Sequence, residues 1–304
     1  MNIHRFAIAL PAGYRPRDAL AFHGRDPDAF AERVDTGADG AVIRKGILLE
    51  GAPVLLEIAF GDGQARCSID GAKAIDLARA QAALVNMLGL RIDPAPFADS
   101  VRDDPLFAPL VRREGSLRVI QSATVFEALS WAIIGQQINL GFAIALRRSL
   151  IGQAGRAHAD GLWCYPEAAD VARLDIEHLT SRKFSRAKAE TLLRLARLVA
   201  DGALDLASGL DGGGGGADIE AISARLLAIK GIGPWTVNYA LLRGYGYPDC
   251  SLHGDVAVRN AIGRLLGAAE RPGVLDAEAF LRAYRPHRTM AAAYLWASLG
   301  QPAA

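Results

Sequence analysis

The sequence predicts an α+β protein, in which a small N-terminal domain built on an antiparallel β-sheet precedes a mostly α-helical region of two subdomains around a cleft. Two observations lead to this prediction. In the first hundred residues, short apolar or alternating segments are separated by turns rich in Gly and Asp, which is typical of an antiparallel sheet. From about residue 99 onward, apolar residues recur with the spacing of amphipathic helices.

The N-terminal region carries four predicted strands, at 5–10, 41–49, 54–60 and 64–69, with turns at 51–53 and 61–63. Two helices are predicted there, over 18–34 and over 76–88, and the second ends at Gly89. A Pro-rich linker follows at 93–96. We therefore expect a sheet domain over 1–98 and an all-α region over 99–304.

The all-α region holds the remaining predicted helices. They cover 105–113, 124–135, 137–151, 165–172, 175–180, 186–201, 218–228, 234–245, 255–266, 276–283 and 288–299. The run 211–216, one Asp followed by five Gly, is predicted to be a flexible loop. It follows no predicted strand and carries no Lys-Ser/Thr pair, which argues against a phosphate-binding loop.

Composition bounds the function less than the motifs do. The chain has 304 residues, 51% hydrophobic and 22% charged, as expected of a soluble protein of two or three domains. The formal net charge is only +1, so any affinity for DNA must come from local patches and backbone donors. Cys67, Cys164 and Cys250 are far apart and odd in number, which favours reduced thiols over disulfides or a metal cluster. No apolar run is long enough to span a bilayer, and the N-terminus lacks a signal-peptide pattern.

The most informative segment is a predicted helical hairpin at 218–245. Its first helix ends near Gly231, and Pro234 opens the second helix in a first-turn position. Ile232 is expected to fill the angle between the helices, leaving the N–H groups of Gly231 and Gly233 pointing outward. These donors and the helix dipole would suit a DNA phosphate, with Lys230 adding charge. An ordinary glycine-capped corner is the alternative.

Asp255 lies 20 residues after Trp235, where the next helix is predicted to begin. An Asp in that position commonly caps the helix N-terminus. A capping carboxylate is also held rigidly, so the structural role and a catalytic role are compatible.

Together these residues resemble the helix-hairpin-helix-Gly/Pro-Asp superfamily of base-excision glycosylases. Further similarity lies in Phe-Glu…Ile-Ile-Gly-Gln-Gln (126–137), Ser-Arg-Ala-Lys-Ala (185–189), Arg-Pro-His-Arg…Trp (285–296) and Leu-Pro-Ala-Gly-Tyr (10–14). His287 stands where the family usually has Trp. Members that form a Schiff base carry Lys at the position of Trp235, and without that amine no imine can form. The resemblance therefore implies the monofunctional, AlkA-type branch that excises 3-methyladenine.

The resemblance also implies a role for each site residue. Duplex DNA with a damaged base would be the partner of a monomeric, cytoplasmic, bacterial-type enzyme that extrudes the base from the helix. Gln137 or Ile138 would fill the gap and Gln136 would lie in the minor groove beside it. An aromatic pocket would bind the base, and Asp255 would stabilise the sugar cation. The pocket residues are Trp235, Tyr239 and Trp296, and the hairpin contacts to DNA come from Lys230, Gly231, Gly233 and Thr236; Trp131 is assigned to the core.

Several points stay open at this level. A basic segment of six cations against Glu190 could bind the DNA backbone or form a solvated helix face; its cations are Arg182, Lys183, Arg186, Lys188, Arg194 and Arg197. His158, His253 and His287 lack metal-ligand spacing, and no cofactor is expected beyond a monovalent cation that family hairpins can hold through backbone carbonyls. The competing functions are a non-catalytic DNA-binding module, a glycosylase or lyase for other damaged bases, and a repair scaffold.

Overall fold

The structure of the protein is a computed structural model, which describes residues 2–37, 40–71, 76–207 and 218–300. The predicted glycine loop at 211–216 lies outside these residues. An N-terminal sheet is followed by a helical region, so the prediction of an α+β fold is confirmed.

The described residues form one mixed sheet. Its strands are β1 (Asn2–Ala9), β2 (Glu32–Gly37), β3 (Gly40–Leu49), β4 (Ala52–Gly61), β5 (Gln64–Gly71), β6 (Arg156–Ala157) and β7 (Trp163–Tyr165). The order is β1-β5-β4-β3-β7-β6, and β2 also pairs with β3. The four predicted strands are confirmed as β1, β3, β4 and β5, which pair antiparallel. The first half of β3 pairs with β2 and its end pairs with β7, so two separate strands share one edge.

The predicted helix over 18–34 is wrong in its second half. Helix α1 covers Pro16–His23 and ends at Gly24, and the chain then turns and forms β2 from Glu32. Residues 32–37 form a strand because they pair along the whole first half of β3. Long-range pairing thus overrides the local helical pattern.

Thirteen further α-helices follow in the described part of the chain. They are α2 (Leu77–Met87), α3 (Ala95–Ser100), α4 (Phe107–Glu114), α5 (Val125–Gly135), α6 (Leu140–Ala154), α7 (Ala168–Ala172), α8 (Ile176–Thr180), α9 (Arg186–Ala200), α10 (Ile219–Leu227), α11 (Pro234–Ala240), α12 (Val256–Leu266), α13 (Val274–Arg282) and α14 (Arg288–Ser298). All eleven helices predicted after residue 99 have a counterpart, with ends shifted by a few residues.

Three predictions need correction here. The second half of the predicted linker at 93–96 instead begins α3, at Ala95, because Pro is well tolerated in the first turn of a helix. The region after residue 99 is not all-α, since β6 and β7 extend the N-terminal sheet. The predicted helix 234–245 changes into a π-helical turn over Leu241–Tyr245 and ends at Gly246, whose φ is +65°.

Two hydrophobic cores result. One lies in the helical region, and the other lies between the sheet, α1 and α2. Ile92 and Phe97 belong to the helical core, whereas Ile151 and Tyr165 belong to the core under the sheet. The domain boundary after residue 98 stays a prediction, and the two regions are joined through both cores.

The three cysteines are free and buried. None of the helices in the described part of the chain combines the length and the apolar character needed to cross a membrane.

Candidate active site

The hairpin forms the tight turn that the sequence predicts. Helix α10 is capped by Asp218, which accepts a hydrogen bond from the N–H of Ala221, and α11 begins at Pro234. Gly231 has φ +98°, and a Cβ atom there would lie 2.0 Å from Oγ1 of Thr191. Ile232 is buried between the helices. Glycine is therefore required at 231 by both backbone conformation and packing.

No contact inside the protein requires glycine at 233, the second glycine of the turn. Gly233 has φ −106°, and a Cβ atom built there meets nothing within 4 Å. Among the described residues, no acceptor faces the backbone N–H of Gly231 or of Gly233. The outer side of the turn is thus an open surface with two free donors at a helix N-terminus, which is the arrangement that binds an anion.

The loop that follows α5 packs against this hairpin. The side-chain amide of Gln136 donates to the carbonyl of Gly231 at 3.1 Å and to Oγ1 of Thr236 at 3.0 Å. Both amide hydrogens are directed at the hairpin, so this conformation does not show the predicted minor-groove role of Gln136. The side chain of Thr236 is buried, so only its backbone N–H is left for the predicted DNA contact. The loop and the hairpin are held as one unit.

At the tip of the same loop lie Gln137 and Ile138, the two residues predicted to fill the gap left by the extruded base, and they differ in exposure. Gln137 is exposed and has φ +55°, an uncommon conformation for a residue other than glycine. Ile138 is half-buried against the helical core. Gln137 is therefore the residue that projects from the loop.

Helix α9 contacts both the hairpin and the end of α5, where the loop begins. Its Lys188 donates from Nζ to the carbonyl of Ile134 at 2.7 Å, near the C-terminus of α5. The Oγ1 atom of Thr191 lies 3.3 Å from the carbonyl oxygen of Lys230, whose own side chain is exposed. Burial lowers the pKa of Lys188. Lys188 belongs to both the motif at 185–189 and the basic segment, but neither predicts its contact with α5, and the contact made by Thr191 was not predicted.

The basic segment is not one continuous free surface. Arg186 pairs with Glu190, and Arg197 donates to the carbonyl of Leu174 at 3.4 Å. Of the six cations, Arg182, Lys183 and Arg194 are exposed without an ion-pair partner among the described residues. Its role in DNA binding stays a prediction.

Asp255 faces the hairpin and is held by neutral donors. Its side chain caps α12, with Oδ1 accepting from the N–H of Val258 at 2.9 Å. Oδ2 accepts from the indole Nε1 of Trp235 at 3.0 Å, and Oδ1 accepts from Nε1 of Trp296 at 3.1 Å. Asp255 takes part in no ion pair with the described residues. The carboxylate is thus fixed by three N–H groups and a helix N-terminus, but no cation cancels its charge.

Two aromatic rings contact this carboxylate, and a third packs against one of them. Trp235 is half-exposed, and the ring of Tyr239, 3% exposed, lies 5.2 Å from it. Trp296 on α14 is 4% exposed. Arg243, which the sequence analysis missed, places its guanidinium 5.6 Å from the centre of the Trp296 ring and forms a hydrogen bond with Tyr239. A single cation within the apolar stretch 241–245 was the signal that could have revealed it. Burial lowers the pKa of Arg243.

A metal or cation site receives no support from the side chains. Among the described residues, no group of three or more His, Cys, Asp and Glu side chains could hold a metal ion. In the hairpin turn, the carbonyls of Ile229 and Gly231 already accept hydrogen bonds from Ile232 and Gln136. A monovalent cation held by these carbonyls stays a prediction.

Comparison with known proteins agrees with this geometry. The sequence profile of the HhH-GPD superfamily base excision DNA repair proteins matches residues 130–286, which include the hairpin and Asp255. The chain is 35% identical to the YfjP protein of Bacillus subtilis (strain 168) over 176 residues, 58% of this chain and 59% of that protein. It is 30% identical over 207 residues to a protein of the same organism named DNA-3-methyladenine glycosylase, covering 67% of each.

A solved structure shows the same fold along nearly the whole chain. The 3-methyladenine DNA-glycosylase from Archaeoglobus fulgidus superposes with a TM-score of 0.79 and 22% identity, covering 96% of this chain and 97% of that one. At that identity the likeness establishes the architecture, including the N-terminal sheet. The matched profile spans more than half of the chain, so this protein belongs to the HhH-GPD superfamily of base excision DNA repair proteins.

Proposed function

We propose that this protein is a DNA glycosylase that hydrolyses the N-glycosidic bond of alkylated purines in duplex DNA and so begins base excision repair. The observation that carries the proposal is Asp255, a carboxylate held by two indoles beside the hairpin without a neutralising cation. The relative named DNA-3-methyladenine glycosylase supports the choice of alkylated bases.

The first step is extrusion of the damaged nucleotide, which costs a few kcal/mol. The free N–H groups of Gly231 and Gly233 bind a phosphate of the damaged strand, aided by the dipole of α11. Gln137 enters the space that the extruded base leaves between its neighbours. The hydrogen bonds between Gln136 and the hairpin fix the distance between Gln137 and the bound phosphate. Rigid spacing matters because both contacts must form on the same stretch of DNA.

The second step is cleavage at C1′. An alkylated purine such as 3-methyladenine or 7-methylguanine carries a positive charge, so it leaves with the electrons of the C1′–N bond as a neutral base. The positive charge passes to the sugar, where Asp255 stabilises it. A water molecule then adds to C1′, and Asp255 takes its proton.

The enzyme is expected to be monofunctional. Trp235 occupies the position that would have to supply an amine for a Schiff base, and its Nε1 is bonded to Asp255. Without an amine next to C1′, the sugar cannot be held as an imine and the strand is not cut by β-elimination.

Release of free base tests the proposal directly. Duplex DNA treated with a methylating agent is incubated with the protein, and the released bases are identified by chromatography. We expect free 3-methyladenine and 7-methylguanine, an abasic strand that breaks only after alkali, and no covalent adduct after borohydride. Binding without release would favour a non-catalytic module, and a borohydride adduct would favour a lyase.

A further inference from the structure

The loop between α5 and α6 ends in an exposed apolar side chain. Leu140, the first residue of α6, is 44% exposed. Its neighbours Asn139 and Gly141 are exposed as well, and Gly141 has no side chain that could cover it. A single exposed leucine is common on protein surfaces, so the position of Leu140 decides whether it has a function.

Leu140 lies close to Gln137, which projects from the same loop. Three Cα–Cα steps separate the two residues, so their Cα atoms are at most about 11 Å apart. Successive phosphates of one DNA strand are about 3.4 Å apart along the helix axis, so a protein that inserts Gln137 brings Leu140 within about three base steps of the gap. At the first position of a helix, the Cα–Cβ bond leans toward the helix N-terminus, which is the side of the loop. Contact of Leu140 with DNA therefore follows from insertion of Gln137.

The backbone that carries Leu140 is held in place. Asn139 caps α6, and its side chain accepts a hydrogen bond from the N–H of Phe142 at 2.9 Å. Ile138 is half-buried against the helical core, and Gln136 is bonded to the hairpin. Because the loop is fixed at these three positions, Leu140 loses little conformational freedom when it meets DNA.

Gln137 by itself is a poor substitute for a stacked base. Its amide carries two N–H donors and an acceptor oxygen, all of which need hydrogen-bond partners. Proteins that open the base stack insert apolar side chains such as Leu, Ile, Phe or Met. An amide can instead form hydrogen bonds with a base that has lost its partner. The loop carries both kinds of group, a polar one at Gln137 and an apolar one at Leu140.

We propose that Leu140 is the apolar wedge of this loop and packs against the base opposite the lesion, while Gln137 takes the place of the extruded base. This inference rests on the proposed glycosylase function, in which the hairpin binds the damaged strand. Gln136 ties the start of the loop to the hairpin, and α5 packs against α11. Helix α6 packs mainly against α5, α7 and β7, and among the described residues no hydrogen bond joins 138–141 to the hairpin. The end of the loop therefore faces the undamaged strand.

The fluorescence of 2-aminopurine reports this contact, because stacking quenches the emission of that base. Two duplexes carry a tetrahydrofuran abasic site, with 2-aminopurine either opposite the site or next to it on the same strand. Saturating wild-type protein should raise the emission at both positions. Leu140→Ala should remove most of the rise opposite the site and keep the rise on the damaged strand. Leu275→Ala, which also removes an exposed leucine from the first turn of a helix, is the matched control and should behave as the wild type.

Single-turnover excision of 7-methylguanine measures the consequence for the reaction. Leu140→Ala should slow excision from a fully paired duplex by about tenfold, because the leucine side chain is no longer buried against a base. A duplex with an abasic site opposite the lesion offers no base to pack against, so there the variant and the wild type should differ by less than about twofold. Leu140→Met keeps an apolar side chain of similar volume and should keep the wild-type rate on both duplexes.

The outcomes separate this inference from the function beneath it. An unchanged rise opposite the site in Leu140→Ala, or a loss only on the damaged strand, overturns the role of Leu140 and leaves the glycosylase function standing. Equal slowing on the two excision duplexes also overturns it. If the wild type releases no base but the fluorescence responds as expected, the glycosylase function fails and the contact with the opposite base stands. If Leu140→Ala unfolds at the assay temperature, Leu140→Gln, which keeps the length but not the apolar surface, decides by the same fluorescence.

Discussion

Two groups of carboxylates in this molecule are held in opposite ways. Asp255 accepts hydrogen bonds from two indoles and one backbone N–H and is partly exposed. Glu32 and Glu127 are buried between sheet and helices, and each is bonded to both Lys45 and Arg147. Arg147 grips Glu32 through both guanidinium arms, at 2.9 and 2.6 Å.

The difference lies in whether the negative charge is cancelled. Burial alone would raise the pKa of Glu127, but Lys45 and Arg147 outweigh it and hold the pKa below its ordinary value. The pKa of Glu32 is lowered in the same way, with Arg147 the larger influence after burial. At Asp255 the donors are neutral, so the carboxylate is positioned but its charge stays available. One arrangement joins two regions of the fold, and the other leaves a negative charge that, in the proposed function, faces the positive charge of the substrate.

The largest effect should come from removing the available charge. We expect Asp255→Asn to lower single-turnover excision by about a thousandfold or more, because the sugar cation loses its electrostatic partner. The free energy of unfolding should fall by only about 1 kcal/mol, since Asn still caps α12 but its NH2 group cannot accept the hydrogen bond from one indole. Excision rates and urea denaturation measure the two quantities. Retention of full activity would show that another group serves the sugar.

The matched change in the ion cluster should lower the free energy of unfolding and leave the excision rate nearly unchanged. Glu127→Gln leaves Lys45 and Arg147 with only Glu32, so a buried positive charge is left uncompensated. We expect the free energy of unfolding to fall by about 3 kcal/mol, with the excision rate per folded molecule nearly unchanged. Glu190→Gln, which breaks the exposed pair with Arg186, is the control and should cost less than about 1 kcal/mol. Equal losses in the two variants would remove the distinction between buried and surface pairs.

The same cluster predicts a dependence of stability on pH. Because the folded-state pKa of Glu127 and of Glu32 is lowered, their contribution is complete above the ordinary pKa of 4.5 and is lost as the pH falls below it. His23, whose pKa is lowered to about 4 by burial and by Lys45, adds a decline that starts near pH 6.5. Urea denaturation between pH 3 and pH 8 should show both declines in the wild type. In Glu127→Gln the lower one should be smaller, and an identical profile would contradict the assignment.

The site formed by the hairpin and Asp255 and the buried ion cluster also differ in how far the sequence could predict them. The hairpin and Asp255 lie within one short stretch, where Gly231, Pro234 and the interval of 20 residues are visible in the sequence. The ion cluster joins residues 13 to 115 positions apart, so no local pattern predicts it. For the same reason β2, β6 and β7 were not predicted, because β2 and β7 form by pairing with β3, and β6 forms by pairing with β7. The hydrogen bonds from Gln136 to the hairpin also span about a hundred residues, so the sequence could not predict them.

The two hairpin glycines differ in the same way as the two groups of carboxylates. The fold requires glycine at 231, whereas nothing inside the protein requires it at 233. Gly233→Ala places a Cβ atom in open space, so the free energy of unfolding should stay unchanged. The affinity for duplex DNA should fall by about tenfold, because the methyl group keeps a phosphate away from the backbone N–H groups. Gly231→Ala is the control, and it should lower the melting temperature because of the contact with Thr191. Fluorescence anisotropy with an abasic-site duplex and thermal unfolding measure the two effects. Unchanged DNA affinity in Gly233→Ala would place the phosphate elsewhere.

The smallest effect concerns a cation that pairs with no carboxylate. Lys188 uses its ammonium group on the carbonyl of Ile134, whereas Lys45 uses its own on Glu32 and Glu127. Lys188→Met keeps the aliphatic stem but frees the end of α5, so the loop with Gln137 should lose some of its fixed position. We expect excision to slow by about threefold and the free energy of unfolding to fall by less than about 1 kcal/mol. Restoration of the rate by Lys188→Arg would assign the effect to the hydrogen bond with the helix end, because Arg can also donate there. If Lys188→Met instead weakens DNA binding in proportion to its loss of rate, Lys188 acts through its charge on the DNA, and the support of the loop by α9 is not what sets the rate.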